Sequence, residues 1–336
     1  MDILSMDHLI NPRLAQVDLL IQKTLRSPTR PLQEMVDHLL SGNGKKIRPM
    51  LVLLTGALFD LNGPSLQNAD LIKTAASVEL IHTASLVHDD IIDGADQRRG
   101  SVTLHKRWDT LSAALLGDYL LSMAFKLLSN CERSSILLPL MGRSVELLCR
   151  GETMQIDKSY DCSISEQEYY RCNYLKTSQF LAACCEAGGI SSVAFPLPFE
   201  QSKALREYGF NLGQAFQIVD DILDFYDQTG RLGKPVWVDF NRGVITLPLI
   251  CLLRKSGRFR ALLEAVYCCQ GVVSPHLKEQ LKQASRECGA LEYSIRRAEQ
   301  AKLLALRSLN AMPQTPVRSI MFKIAESVTA RIADIR

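Results

Sequence analysis

The chain has 336 residues, 47% of them hydrophobic and 22% charged, with 39 Lys and Arg against 36 Asp and Glu for a formal net charge of +3. That composition supports a substantial buried core, and so small a net charge argues against nucleic acid as a partner. No Ser/Gly-rich or Pro-rich linker and no long charge run divides the sequence, so residues 1–336 read as one domain.

From the N-terminus, the opening Met-Asp-Ile-Leu-Ser-Met-Asp has no basic segment and no long apolar stretch. No signal peptide is apparent, and a cytoplasmic location is expected. Apolar residues then recur at helical spacing: Leu14, Val17, Ile21; Leu51, Leu54, Leu58; Val78, Ile81, Ser85; Leu115, Tyr119, Met123; Leu212, Phe216, Val219, Leu223. Turn chemistry breaks the pattern at Ser41 to Gly44, Asn62-Gly63-Pro64, Gly188-Gly189, Pro196 to Pro198 and Thr229-Gly230. Strand alternation is absent. The expectation is an all-α bundle of about ten or more helices around a central cavity, with sites formed between facing helices. No uninterrupted apolar run reaches about 18 residues, the length of a membrane span. The basic residues Arg296, Arg297, Lys302 and Arg307 near the C-terminus read as a solvated helix face.

Ten cysteines form no Cys-x-x-Cys pair and lie in apolar helical pattern, singly or as the doublets Cys184-Cys185 and Cys268-Cys269. They read as buried free thiols and not as a disulfide scaffold or zinc site.

One carboxylate motif occurs twice: Asp89, Asp90 and Asp93 close one apolar helix, and Asp220, Asp221 and Asp224 close another, 131 positions later. Residues four apart share a helix face, so Asp89 stacks on Asp93 and Asp220 on Asp224, like-charge pairs that destabilise a bare helix. A cation is expected to relieve them. Clustered carboxylates without Cys or His favour Mg²⁺ over zinc, and Mg²⁺ held by few carboxylates completes its shell with water and phosphate oxygens. A phosphate ester is therefore the expected substrate, bound where two helices face each other across one cavity. His82 falls on the stripe of Asp89 about two turns lower. Gly44-Lys45-Lys46-Ile47-Arg48-Pro49 is a basic loop entering a helix, suited either to gripping a diphosphate or to simple solvation.

Gly44 to Pro49, Ile81 to Asp93, Arg98-Arg99-Gly100, Gly117-Asp118, Lys176-Thr177 and Gly213 to Asp224 occur in this order, and together they resemble the trans-polyprenyl diphosphate synthase family, its long-chain heptaprenyl and octaprenyl members in particular. The resemblance implies an isoprenoid synthase fold and a homodimer. It implies that Asp89 and Asp93, assisted by Asp90, hold two Mg²⁺ ions on an allylic diphosphate, and that Asp220, with Asp221 and Asp224 nearby, holds a third. Arg98, Lys176, Thr177, Gln217 and Lys234 would bind the allylic diphosphate. Lys45, Arg48, His82 and Arg99 would bind isopentenyl diphosphate.

Small residues at Ala84 and Ser85, where shorter-chain relatives often carry an aromatic ring, imply that the first turn beneath the metal site leaves a growing chain room. With Met123 and Phe125 as candidates for a deeper floor, the expected product is all-trans, roughly C30 to C50, for quinone side chains. One departure stands out: Val244 occupies the place of a lysine common in the family, with Arg242 two positions earlier. A class I terpene cyclase is disfavoured by Lys45, Arg48 and Arg99. A short-chain farnesyl or geranylgeranyl synthase, or a catalytic subunit of a heteromeric heptaprenyl synthase needing a partner, remain the alternatives. Membrane contact is expected only at a surface, during product release.

Overall fold

The computed structural model describes residues 4–27, 29–42, 44–59, 68–98, 100–192, 194–226, 237–268 and 273–335, and of residues 4–9 and 334 the backbone alone. Among them are sixteen α-helical segments, and the strand pairing is confined to a two-residue ribbon, Gln97–Arg98 (β1) against Ser101–Val102 (β2). The all-α expectation is correct.

The chain forms two compact units. One comprises Met1–Val145, Leu181–Arg206 and Asn310–Met321; the other comprises Glu146–Phe180, Glu207–Leu309 and Phe322–Arg336. In the first, α4 (Ala69–Ile92) is the central element, packed against α1 (Leu4–Thr24), α3 (Ile47–Ala57) and α6 (Thr110–Ser129). Its N-cap is Asn68, whose side chain accepts the Asp70 N–H, and its buried positions run almost all round, from Leu71 to Val87. A helix buried on most faces has little amphipathic signature and is held by packing more than by propensity.

Helix α6 is long and apolar enough to cross a membrane by length and composition alone. Its Leu116, Leu120, Ala124 and Leu128 are instead buried in the core of this unit. The stripe expected from the sequence, Leu115, Tyr119 and Met123, points elsewhere, and Leu115 is 59% exposed. Apolar residues encircle α6, so spacing alone could not select the buried face.

Gly188 and Gly189 do not break the chain. They lie inside α9 (Gln179–Ile190), because a Cβ on Gly188 would sit 2.0 Å from Thr55 Oγ1 and 2.3 Å from the Val52 carbonyl. The glycine serves close approach of α9 to α3. The breaks at Ser41 to Gly44 and Pro196 to Pro198 fall between helices; those at Asn62 to Pro64 and Thr229-Gly230 lie outside the described residues.

In the second unit, α12 (Leu247–Lys255) is the hub, touching α8 (Glu166–Asn173), α13 (Gly257–Cys268), α14 (Pro275–Glu287) and α15 (Ala290–Ser308). Helix α8 starts with a complete capping box, Ser165 with Glu168, and runs directly into a π-helical turn, Tyr174–Ser178. Free thiols fill core positions at Cys131, Cys162, Cys184, Cys185 and Cys251, whereas Cys149 and Cys268 are exposed, contrary to the all-buried expectation. Burial pushes the Cys131 thiol up to about 11, which keeps it protonated and unreactive.

Candidate active site

The first aspartate motif ends α4. Asp93 is its C-cap, donating its N–H to the Asp89 carbonyl at 2.8 Å, and both side chains are half-buried on one face. Asp90 points the other way. It is buried and accepts from Arg98 Nε at 2.6 Å, an ion pair made by the β1–β2 ribbon, which returns Arg98 to the helix end. Burial raises the Asp90 carboxyl, opposed by the attraction of Arg98. Asp89 and Asp93 are thus the metal-facing candidates, and Asp90 anchors a cation. Arg99 lies outside the described residues.

A cavity of about 270 Å³ opens beside this motif, with Lys46, His82, Asp90 and Arg98 among its polar walls and Leu25 and Leu86 among its apolar ones. Arg48 Nη1 meets His82 Nε2 at 2.9 Å. A guanidinium can only donate, so His82 accepts on Nε2 and is neutral there. Of the basic loop, Lys46 lines the cavity, in a left-handed conformation at the start of α3 and paired with Asp18, while Lys45 is exposed. Ala84 is fully buried and Ser85 donates its hydroxyl to the His82 carbonyl at 2.8 Å; neither lines this cavity. Met123 and Phe125 are half-buried on α6.

In the second unit the π-helical turn carries Lys176 and Thr177. Two glycines admit it. A Cβ on Gly151 of α7 (Ser134–Lys158) would lie 2.8 Å from Lys176 Cγ, and one on Gly213 of α10 (Phe199–Tyr226) would lie 2.7 Å from Ser178 Cα. Single π turns inside helices often mark functional sites, since the extra residue re-aims the side chains beside it. Lys176 donates to Gln155 Oε1 at 2.9 Å and pairs with Glu152. Thr177 Oγ1 donates to Gln217 Oε1 at 2.9 Å, and Gln217 Nε2 donates to Asp221 Oδ1 at 2.9 Å.

The second aspartate motif lies in the last described turns of α10, and its members differ in surroundings. Asp221 is buried, and Tyr169 donates its hydroxyl to Oδ2 at 2.6 Å. Burial and then Asp239 raise its carboxyl, against the pull of Tyr169 and Gln217. Asp224 accepts the N–H groups of Val238 at 3.0 Å and Asp239 at 3.3 Å, and burial first, then Asp239, pushes its carboxyl up to about 7. Asp220 is half-buried; it pairs with Arg331, whose Nη2 donates to Oδ1 at 2.6 Å. Lys234 lies outside the described residues. Val244 is half-buried with its N–H on the Asp239 carbonyl at 2.9 Å, and Arg242 caps α11 (Val238–Asn241).

Glu152, Gln155, Tyr169 and Arg331 were not singled out from sequence. Glu152 and Gln155 precede Lys176 by 24 and 21 positions, and Arg331 follows Asp220 by 111. No local pattern connects such residues; folding does.

Asp89, Asp93 and Asp220 offer only oxygen donors, which suits a hard divalent ion. Among the described residues no three His, Cys, Asp or Glu side chains form a ready-made cage.

The polyprenyl synthetase family model matches residues 29–284. The chain belongs to this family. It is 33% identical over 318 residues to octaprenyl diphosphate synthase of Escherichia coli K12, covering 95% of each chain. To heptaprenyl diphosphate synthase component 2 of Bacillus subtilis it is 32% identical over 324 residues, covering 96% of this chain and 89% of that one. The structure is also similar to the crystal structure of polyprenyl synthase from Caulobacter crescentus, complexed with calcium and isoprenyl diphosphate, with a TM-score of 0.87, 30% identity, and coverage of 98% and 97%.

Proposed function

We propose that the chain is a Mg²⁺-dependent prenyltransferase that condenses isopentenyl diphosphate with an allylic diphosphate into a long all-trans polyprenyl diphosphate, roughly C30 to C50, as the octaprenyl and heptaprenyl relatives indicate. The observation that carries this reading is pairing: the isopentenyl-binding candidates Arg48 and His82 meet at 2.9 Å, and the allylic-binding candidates Thr177 and Gln217 meet at 2.9 Å. Residues chosen as members of two separate functional sets are neighbours within each set. The family match extends across residues of both units, so we read 1–336 as one catalytic domain.

Asp89, Asp93 and Asp220 would hold the Mg²⁺, two or three ions in all. Bound there, the metal supplies charge neutralisation for a departing diphosphate. Arg98, held by Asp90, and Lys176, held by Glu152, would each offer a fixed cation to developing negative charge. Lys45, Arg48, His82 and Arg99 would hold isopentenyl diphosphate. The proton lost after carbon–carbon bond formation goes to the released diphosphate, so the chemistry requires no side-chain base.

Similarity to a protein named as component 2 supports a second reading, in which a partner subunit is needed for activity; the first reading takes the chain as a homodimer. Diphosphate release by the purified chain tests the class of reaction. Release that requires an allylic diphosphate, isopentenyl diphosphate and Mg²⁺ together is expected. Release from the allylic substrate alone, at an equal rate, would make the protein a cyclase.

A further inference from the structure

Tyr169 belongs to none of the sequence motifs, yet it stands at the buried end of a chain of three hydrogen bonds. Its hydroxyl donates to Asp221 Oδ2 at 2.6 Å; Gln217 Nε2 donates to Asp221 Oδ1 at 2.9 Å; Thr177 Oγ1 donates to Gln217 Oε1 at 2.9 Å. Tyr169 is 7% exposed and Asp221 2%. Both oxygens of Asp221 are therefore engaged by the protein itself. That separates its role from the half-buried Asp220 beside it, whose Oδ1 meets the half-buried Arg331.

The chain has a direction. Gln217 presents its NH₂ end to Asp221 Oδ1, so its carbonyl faces the Thr177 hydroxyl. The orientation of an amide that nothing else would decide is thus set by Asp221, and Asp221 is in turn fixed by Tyr169. The same connection ties α8 to the turn it leads into: Tyr169 lies five residues before Tyr174, where the π-helical geometry begins, and Thr177 lies within it.

We propose that Tyr169 is a positioning residue for the allylic diphosphate, acting through Asp221 and Gln217 to fix the hydroxyl of Thr177 and the register of the π-helical turn. This rests on the reading of Thr177 and Gln217 as allylic-diphosphate contacts. Tyr169 itself touches no substrate in this account. Replacing it by phenylalanine keeps the ring and its packing but removes one donor from a buried carboxylate, which leaves Asp221 free to rotate and Gln217 free to turn over. Leaving a buried polar group short of one partner is worth a change of about tenfold in binding.

The test compares Tyr169→Phe, Asp221→Asn, their double variant and Thr177→Val. Steady-state kinetics are measured for each substrate, with calorimetric titration of inorganic pyrophosphate and Mg²⁺ into the protein without prenyl substrates. The expected result is that Tyr169→Phe raises the KM for the allylic diphosphate and weakens pyrophosphate binding, each by about tenfold, while the KM for isopentenyl diphosphate stays within about twofold. Asp221→Asn should do the same, and the double variant should be no worse than the poorer single one, because both break one connection.

Thr177→Val separates the two levels of the argument. Should it leave the allylic KM and pyrophosphate binding unchanged, the reading of the allylic site fails. Should it weaken both while Tyr169→Phe does not, the site stands and the positioning role is wrong. Equal losses for both substrates in Tyr169→Phe, with a lowered melting temperature, would mean that the tyrosine merely supports the fold and would also overturn the proposal.

Discussion

Arg331 lies across Asp220: its Nη2 donates to Oδ1 at 2.6 Å, and its guanidinium carbon sits 5.1 Å from the centre of the Phe216 ring. The carboxylate proposed to hold a metal ion thus already has a cationic partner supplied by a residue near the C-terminus. Because Arg331 and a bound cation would compete for the Asp220 carboxylate, Arg331→Gln should lower the Mg²⁺ concentration that gives half-maximal activity. The effect should be about two- to fivefold, the range for a half-exposed ion pair worth up to about 1 kcal/mol. A titration of initial rate against Mg²⁺ decides it; a half-saturation point that rises instead would mean that Arg331 helps to hold the metal–diphosphate complex.

Arg48 should matter for one substrate only. Its guanidinium is aligned on His82, so Arg48→Lys keeps a positive charge but loses the planar fork. The expected outcome is a rise of about tenfold in the KM for isopentenyl diphosphate, with the allylic KM little changed. Initial-rate measurements with each substrate varied in turn provide the check.

Much of this was legible because the chemistry demanded local patterns. Two acids four residues apart at a helix end can be read from sequence; α4 stops with Asp93 as its C-cap, and Asp224 lies in the last described turn of α10, which runs to Tyr226. The π-helical turn was not legible, since it is set by two backbones closing on it at Gly151 and Gly213, which no periodicity records. Gly188-Gly189 misled for the same reason: glycine marks close approach as readily as a turn, and only the position of Thr55 distinguishes them. Within the basic loop, sequence could not tell that Lys46, and not Lys45, turns into the cavity, because that follows from the left-handed backbone at Lys46.

Gly188 offers a test of packing apart from chemistry. An alanine there would force its methyl into Thr55 Oγ1 and the Val52 carbonyl, and backbone can yield little. Gly188→Ala should destabilise the fold by about 1 to 3 kcal/mol, or more if α9 cannot shift. Chemical denaturation measures this, and a variant as stable as the parent would contradict the tight contact of α9 with α3.

Acid should expose the role of the α8 capping box. Lys158 meets Glu168 Oε1 at 2.8 Å and the Ser165 N–H donates to Oε2 at 2.9 Å; led by Lys158, these hold the carboxyl down to about 2. A depressed folded-state value means that the stabilisation is complete above the ordinary carboxylate range, near 4.5, and is lost as pH falls through about 2. Melting temperatures of the parent and Glu168→Gln should therefore differ at neutral pH and converge between about pH 4.5 and 2. A gap that stays constant through that window would show that the Glu168 charge contributes nothing.

Ser85 lies one turn below Asp89 with its small side chain half-buried. If the growing tail passes this turn, Ser85→Phe should shorten the main product by several prenyl units, each about one helical turn in length. Chromatography of the dephosphorylated alcohols would reveal it, and an unchanged product would place the tail elsewhere.

The central claim, that this chain alone builds a long polyprenyl diphosphate, is tested most directly by product length. The purified chain is incubated with Mg²⁺, isopentenyl diphosphate and farnesyl diphosphate, and the dephosphorylated products are sized by mass spectrometry. A ladder ending at roughly C30 to C50, as for the octaprenyl and heptaprenyl relatives, is the predicted result. Folded protein that adds no unit, or that stops at C20, would contradict it.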